Sequence, residues 1–147
     1  MAFKDSVLTR QDLIETYQRL LKDTKLEPKD IWVGAGGASL MHGLRDTTND
    51  IDAGCYLDTL HYVAEKLHAH IEIYGRAQGY MFDGQKLLHL EKYVTDLHEE
   101  SCEPDELVMV DGVNVYSLES LLAMKLKLNR PKDQDEIRKL KVLLKRR

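Results

Sequence analysis

The chain has 147 residues, close to the roughly 100–150 residues that are typical of one compact domain. Hydrophobic residues make up 43% of the chain and charged residues 31%, with only 9 glycines and 3 prolines. This composition excludes the disordered, collagen-like and fibrous classes. The formal net charge of −4 also lacks the bulk positive charge of a typical nucleic-acid-binding domain.

The charges are nevertheless unevenly distributed along the chain. Residues 125–147 contain ten basic and three acidic residues, a local net charge of +7. Residues 1–124 contain eleven basic and twenty-two acidic residues, a net charge of −11. We therefore expect an anionic partner to meet the C-terminal end first.

Cysteine content and hydropathy indicate the cellular setting. Cys55 and Cys102 are too few for a disulfide scaffold and form no CxxC metal motif, which favours a reducing cytoplasm. The N-terminus lacks the continuous apolar region of a signal peptide, and no stretch approaches the roughly 20 apolar residues that span a bilayer. We expect a cytoplasmic protein with no membrane partner.

The N-terminal half predicts helices and strands in alternation. Thr9 and Asp12 have the spacing of a capping box, and the apolar residues that follow recur at helical spacing, so an amphipathic helix of about fourteen residues is predicted here. The apolar run 31–33 predicts a buried strand that ends in a glycine turn at residues 34–37. The next predicted elements are a short helix over 38–44, a strand over 49–57, a helix from an Asp58 cap through His70 and a strand over 70–74.

The C-terminal half predicts short strands followed by two helices. Ser117 is placed to cap a helix that stops before Pro131, and a last helix starts at about Lys132. The predicted strands are 80–82, 86–90, 93–98, 107–110 and 113–116, with Asp-Gly turns at 83–84 and 111–112. The order of elements predicts an α+β fold with a small mixed β-sheet and helices packed mainly on one face. We expect a single domain over residues 1–147, with a core over about 31–116 and C-terminal helices over about 117–147.

Two aspartates on the predicted second strand could bind a metal ion. Asp50 and Asp52 project from the same face because strand side chains alternate, so their carboxylates are close enough to share a cation. Two like charges on one face are costly without such a cation.

A glycine pair precedes these aspartates by a spacer of twelve residues. Gly36 and Gly37 lie where a strand turns into a helix, so their backbone N–H groups could approach a phosphate with no Cβ in the way. Glycines for phosphate and paired aspartates for magnesium are two parts of phosphoryl or nucleotidyl transfer, in which the metal neutralises phosphate charge and stabilises the leaving group.

These motifs resemble a known superfamily. A hydrophobic strand, Gly-Gly, a spacer of about a dozen residues and Asp-Ile-Asp are similar to the signature of the DNA polymerase beta-type nucleotidyltransferases in their minimal form. The string GGASLMHGLRDTTNDID over residues 36–52 is particularly similar to the AbiEii-like toxin branch, in which a Gly, an Arg and a Thr precede the Asp-x-Asp, here Gly43, Arg45 and Thr48. VYSLESLLAMKL over residues 115–126, followed by RPKD over 130–133, resembles the C-terminal helices of that branch.

The resemblance implies the roles of individual residues. Asp50 and Asp52 would bind Mg²⁺, with Mn²⁺ as the alternative, together with a third carboxylate on a neighbouring strand that also deprotonates the acceptor hydroxyl. We assign this third position to Asp96, which lies in a strand-like segment, with Glu91 as the second choice. The residues assigned to nucleotide binding are Gly36, Gly37, Ser39, Arg45, Thr48 and Lys125, the last as the positive charge for the β- and γ-phosphates.

The implied activity is magnesium-dependent transfer of a nucleoside monophosphate from a nucleoside triphosphate such as ATP to a hydroxyl, with release of pyrophosphate. A tRNA, other RNA or protein acceptor would fit a toxin of a toxin–antitoxin pair or a defence module. A small-molecule acceptor would resemble the nucleotidyltransferases that modify aminoglycoside and lincosamide antibiotics. The alternative is a catalytically inactive, antitoxin-like protein that keeps the fold and binds or regulates.

Overall fold

The computed structural model describes residues 7–74, 85–100, 104 and 106–146. The helices of these residues are α1 Arg10–Thr24, α2 Ala35–Met41, α3 Leu57–Leu67, α4 Leu118–Leu128 and α5 Gln134–Lys145. The strands are β1 Trp32–Gly34, β2 Ile51–Cys55, β3 Ile71–Tyr74, β4 Gln85–Leu90, β5 Thr95–Glu99, β6 Leu107–Val110 and β7 Val113–Tyr116. Short 3₁₀ turns occupy Pro28–Asp30, Glu91–Tyr93 and Pro131–Asp133.

The strands form one mixed sheet in the order β3-β4-β5-β2-β1-β7-β6. β2 lies near its centre, antiparallel to β1 and parallel to β5, while β1 is also parallel to β7. The outer pairs β3–β4 and β6–β7 are antiparallel. The predicted α+β class with a mixed sheet is therefore confirmed.

The N-terminal helix α1 follows the predicted pattern closely. Thr9 and Asp12 form the predicted capping box, in which each side chain accepts a hydrogen bond from the other residue's backbone N–H. The apolar face of the helix, including Leu13 and Leu20, is fully buried in the core. The hydroxyl of buried Tyr17 donates a hydrogen bond to the Ile31 carbonyl at 2.9 Å, which ties α1 to the segment leading into β1.

The boundaries of several elements differ from the predictions. Helix α3 begins at Leu57 with Tyr56 at its N-cap position, so Asp58 lies in the first turn and is not the cap. The helix ends at Leu67, short of His70, because His68 adopts a left-handed conformation with φ 54°. Helix α2 begins earlier than predicted, directly after Gly34, and ends at Met41.

Two elements in the C-terminal half begin later than predicted. Residues 91–93 form a 3₁₀ turn and Val94 is left-handed, so β5 begins only at Thr95. The last helix starts at Gln134, because a 3₁₀ turn at Pro131 precedes it. The predicted strand over 80–82, the predicted turn at 83–84 and Cys102 lie outside the described residues.

The C-terminal helices α4 and α5 pack on each other, and α4 also packs on β7 of the sheet. The predicted cap of α4 is confirmed, since the Ser117 hydroxyl accepts a hydrogen bond from the Ser120 backbone N–H at 3.0 Å. Leu121 of α4 and Leu140 of α5 are fully buried. Within the part of the chain that the structure describes, every helix is too short or too polar to cross a membrane.

Candidate metal and nucleotide site

Three carboxylates meet at the centre of the sheet. Asp50 directly precedes β2, Asp52 lies within β2, and Asp96 of β5 is the parallel-register partner of Asp52. One carboxylate oxygen from each of the three residues lies within 4.8 Å of the others. This all-oxygen donor set is the kind that Mg²⁺ and Mn²⁺ prefer in proteins, so the residues present fit a hard divalent cation.

Asp96 therefore lies where the third carboxylate was expected, and Glu91 does not. Glu91 begins the 3₁₀ turn before β5, is exposed and is not a member of the carboxylate group. The difference follows from register. Strand pairing places Asp96 directly beside Asp52, whereas Glu91 lies before the point at which β5 joins β2.

Burial and mutual repulsion perturb one member of this carboxylate cluster. Burial raises the pKa of Asp50 to about 6, with smaller contributions from the charges of Asp52 and Asp96, while His98 acts in the opposite direction. A bound divalent cation would relieve this repulsion. The shift therefore supports the same three residues as ligands.

Two histidines contact the cluster of three carboxylates, and neither histidine was among the predicted site residues. His89 Nδ1 lies 2.6 Å from Asp96 Oδ1, and its Nε2 lies 3.2 Å from Glu72 Oε1 on β3. His98 Nε2 lies 3.6 Å from Asp52 Oδ1. His98 could have been found from its i+2 spacing to Asp96 on one strand face, but His89 requires the β4–β5 register, which the sequence does not reveal.

The two glycines predicted to approach a phosphate have different surroundings. A Cβ on Gly36 would lie 2.9 Å from Thr48 Oγ1 and 3.0 Å from Arg45 Nη1, so three of the predicted nucleotide-binding residues lie together. A Cβ on Gly37 would instead lie 2.6 Å from Val33 Cγ1 within the core. The missing side chain of Gly37 thus allows α2 to pack closely on β1.

Ser39, Lys125 and, through the rest of its guanidinium, Arg45 converge on Glu136 of α5. The Ser39 hydroxyl donates to Glu136 Oε1 at 2.6 Å, and Lys125 Nζ lies 3.1 Å from the same oxygen. Arg45 donates to Glu136 Oε2 through Nε at 2.8 Å and through Nη2 at 2.6 Å. Ser39 is fully buried and Glu136 nearly so.

Lys125 occupies a different environment from the one expected for a surface or phosphate-facing lysine. Its side chain is 2% exposed, and its ammonium lies 3.3 Å from Asp133 Oδ1 in addition to its contact with Glu136. The physical reason is that Lys125 lies on the face of α4 that packs on α5, where a buried cation requires carboxylate partners. In this structure its ammonium is not presented at the surface.

Comparison with known proteins supports the fold. No protein-family model matches the chain, and no curated protein matches it. Among solved structures, the chain is similar to the crystal structure of a "putative nucleotidyltransferase" (TM1012) from Thermotoga maritima. The similarity covers 95% of this chain and 97% of that one, with a TM-score of 0.63 and 14% sequence identity. This likeness shows the fold, while the closer resemblance to the AbiEii-like branch stays a prediction.

Proposed function

We propose that the protein is a metal-dependent nucleotidyltransferase that moves a nucleoside monophosphate from a nucleoside triphosphate to a hydroxyl acceptor. The observation that carries the proposal is the group formed by Asp50, Asp52 and Asp96 at the centre of the sheet. The fold that surrounds this group is similar to that of a solved structure named for the same activity.

Asp50, Asp52 and Asp96 would hold the metal. Mg²⁺ or Mn²⁺ bound there supplies the positive charge that neutralises the triphosphate and the leaving pyrophosphate. Asp96 lies on β5, next to the strand that carries the other two carboxylates, and we assign to it the role of general base. Its contact with His89 holds its carboxylate in one orientation.

In the proposed reaction the acceptor hydroxyl oxygen attacks the α-phosphorus, and its proton passes to Asp96. A new bond forms between the acceptor oxygen and the α-phosphorus, and the bond from that phosphorus to the oxygen bridging the α- and β-phosphates breaks. The electrons of the broken bond leave with pyrophosphate, so charge and atoms balance. The carboxylates would align the reactants through the cation that they hold, and such alignment is the main protein contribution to this class of reaction.

We assign the triphosphate tail to the region around Gly36. Gly36 is half-buried, and both Thr48 and the Nη1 group of Arg45 lie beside it. Arg45 is partly exposed, so its guanidinium is the cation that could reach a phosphate. Ser39 and Lys125 would contribute indirectly, because both contact Glu136.

The acceptor that we favour is an RNA such as a tRNA. The local charge of +7 over residues 125–147 supports this preference, and Lys141, Lys145 and Arg146 at the end of α5 are exposed. A protein or a small molecule such as an antibiotic would need no such basic surface. An RNA or protein acceptor would suit a cytoplasmic toxin or defence module.

The test is transfer of α-labelled nucleotide from each of the four nucleoside triphosphates to separate RNA, protein and small-molecule pools, with and without Mg²⁺. The Asp52→Asn variant removes one carboxylate of the group, and Asp46→Asn provides an exposed control outside it. We expect magnesium-dependent transfer by the wild type and the control but not by Asp52→Asn. Nucleotide binding without transfer to any pool would instead favour the inactive, regulatory alternative.

A further inference from the structure

A buried charge network joins the C-terminal helices to the loop that carries Arg45. At its centre, Glu136 contacts Ser39, Lys125 and Arg45 through its two carboxylate oxygens. Burial alone would raise the pKa of Glu136, but hydrogen bonds from Ser39 and Arg45 and the charge of Lys125 lower it below its usual value. Glu136 is therefore an ionised group that is almost excluded from solvent.

The orientation of Arg45 follows from this contact. Its Nε and Nη2 groups form a two-point contact with Glu136 Oε2, which uses one edge of the planar guanidinium. The remaining nitrogen, Nη1, lies 3.0 Å from the position of a Cβ on Gly36, next to the Thr48 hydroxyl. That hydroxyl donates to the Asp50 carbonyl at 3.2 Å. The Nη1 group of Arg45 therefore lies close to the segment that leads into β2.

We propose that Glu136 is a positioning residue, which holds Arg45 over Gly36 so that Nη1 faces a phosphate of the bound triphosphate. This inference rests on the proposed function. Lys125 supports this positioning by neutralising Glu136 within the core, so the lysine affects the nucleotide only indirectly, through Glu136. Glu136 itself does not contact the substrate.

A purely structural role makes a different prediction. If the network only stabilised the packing of the C-terminal helices on each other, Asp133 would be equivalent to Glu136, because it is also buried and also contacts Lys125 of α4. Asp133 pairs with Arg130, however, and not with Arg45. Asp133→Asn is therefore a matched control that breaks the same buried network without releasing Arg45.

If only the negative charge of Glu136 mattered, its removal would change phosphate affinity in the opposite direction from the one that positioning predicts. Removing an acidic group near a phosphate site should strengthen the binding of an anion. Positioning predicts weaker binding, because the freed guanidinium no longer faces the phosphate. The direction of the change in affinity thus separates the two explanations.

The experiment measures binding of inorganic tripolyphosphate with Mg²⁺ by calorimetry to the wild type, Glu136→Gln and Asp133→Asn. We expect Glu136→Gln to weaken binding about tenfold or more, as for the loss of a charge-assisted hydrogen bond, and Asp133→Asn to change it less than about twofold. NMR measurement of solvent exchange at the Arg45 guanidinium Nε–H should show faster exchange than in the wild type for Glu136→Gln but not for Asp133→Asn.

Each outcome decides the inference. Unchanged or tighter binding by Glu136→Gln, or equal losses in both variants, would overturn the positioning role and leave the proposed function standing. A wild-type chain that neither binds tripolyphosphate nor transfers nucleotide would overturn the proposed function and the inference with it. If Glu136→Gln does not fold, Arg45→Lys decides instead, because it keeps the charge but loses the two-point contact, and unchanged binding would overturn the inference.

Discussion

Asp52 and Asp96 are paired across the parallel strands β2 and β5, which places one carboxylate from each strand on the same face of the sheet. Asp50 completes the group from the residue that precedes β2. Three carboxylates so close together repel one another, although His89 and His98 contact two of them. Their arrangement fits a bound divalent cation, which the proposed nucleotidyl transfer would use.

If Asp96 is the general base, its conversion to asparagine should remove catalysis without loss of structure. We expect Asp96→Asn to lower transfer by about 10²–10⁴, the range associated with loss of a positioned acid or base. The measurement is the initial rate of labelled-nucleotide transfer, with circular dichroism to confirm the fold. Glu91→Gln is the control, because Glu91 is exposed outside the carboxylate group, and a greater loss in that variant would reverse the assignment.

The raised pKa of Asp50, about 6, predicts how stability depends on pH in metal-free buffer. The native state holds this proton more tightly than the unfolded chain, so the ionised carboxylate lowers stability above pH 6, and this penalty disappears as the pH falls below about 4. Asp50→Asn should therefore raise the free energy of unfolding at pH 8 and should not raise it at pH 4. The gain should be about 1 kcal/mol, because Asp50 is only half-buried, so water reduces the cost of burying its charge and screens the repulsion.

Urea unfolding in EDTA at both pH values measures this difference. Asp46→Asn, at an exposed aspartate outside the group, should change stability little at either pH. Added Mn²⁺ should stabilise the wild type more than Asp50→Asn, because the variant has lost a charged ligand. Equal stabilisation of Asp50→Asn at pH 8 and pH 4 would contradict the electrostatic explanation.

Much of the fold was predictable because its signals are local. The Thr9–Asp12 capping box and the Ser117 cap each lie within one turn of the helix that they begin. The shared face of Asp50 and Asp52 requires only the alternation of one strand. Boundaries set by left-handed residues, such as His68 and Val94, were missed because few non-glycine residues adopt that conformation, and a β-branched residue such as Val94 rarely does.

The parts of the site that could not be predicted depend on contacts between distant segments. The sequence identifies Lys125 as a helical lysine, but its burial depends on Asp133 and Glu136, which the packing of α5 on α4 brings to it. His89 reaches Asp96 only through the register of β4 on β5. Pattern and resemblance supply candidate residues, whereas tertiary packing decides which of them meet.

The two neighbouring glycines should respond differently to substitution. A valine at Gly37 would place its Cβ 2.6 Å from Val33 Cγ1 and 3.3 Å from Leu13 Cδ1, so we expect overpacking to cost about 2 kcal/mol of stability. An alanine at Gly36 would meet the polar ends of Arg45 and Thr48 and no apolar core side chain, so the fold should tolerate it better while displacement of Arg45 weakens tripolyphosphate binding. Thermal unfolding and calorimetry measure the two effects, and a fully stable Gly37→Val chain would show that α2 can shift away from β1.

The basic C-terminal end distinguishes an RNA acceptor from a small neutral one. RNA binding releases counterions, with a slope in log affinity of roughly 0.7 per phosphate contacted on a single strand. We expect replacement of four C-terminal cations by glutamine to lower both RNA affinity and this salt slope, while leaving pyrophosphate release at the carboxylate group intact. The substituted residues are Lys141, Lys145, Arg146 and Arg147, the last of which lies outside the described residues. A control with the same loss of charge elsewhere on the surface replaces Lys22, Lys25, Lys29 and Lys66. RNA modification that is equal in the two variants at low and high salt would exclude a role for the C-terminal cations and redirect the search to a protein or small-molecule hydroxyl.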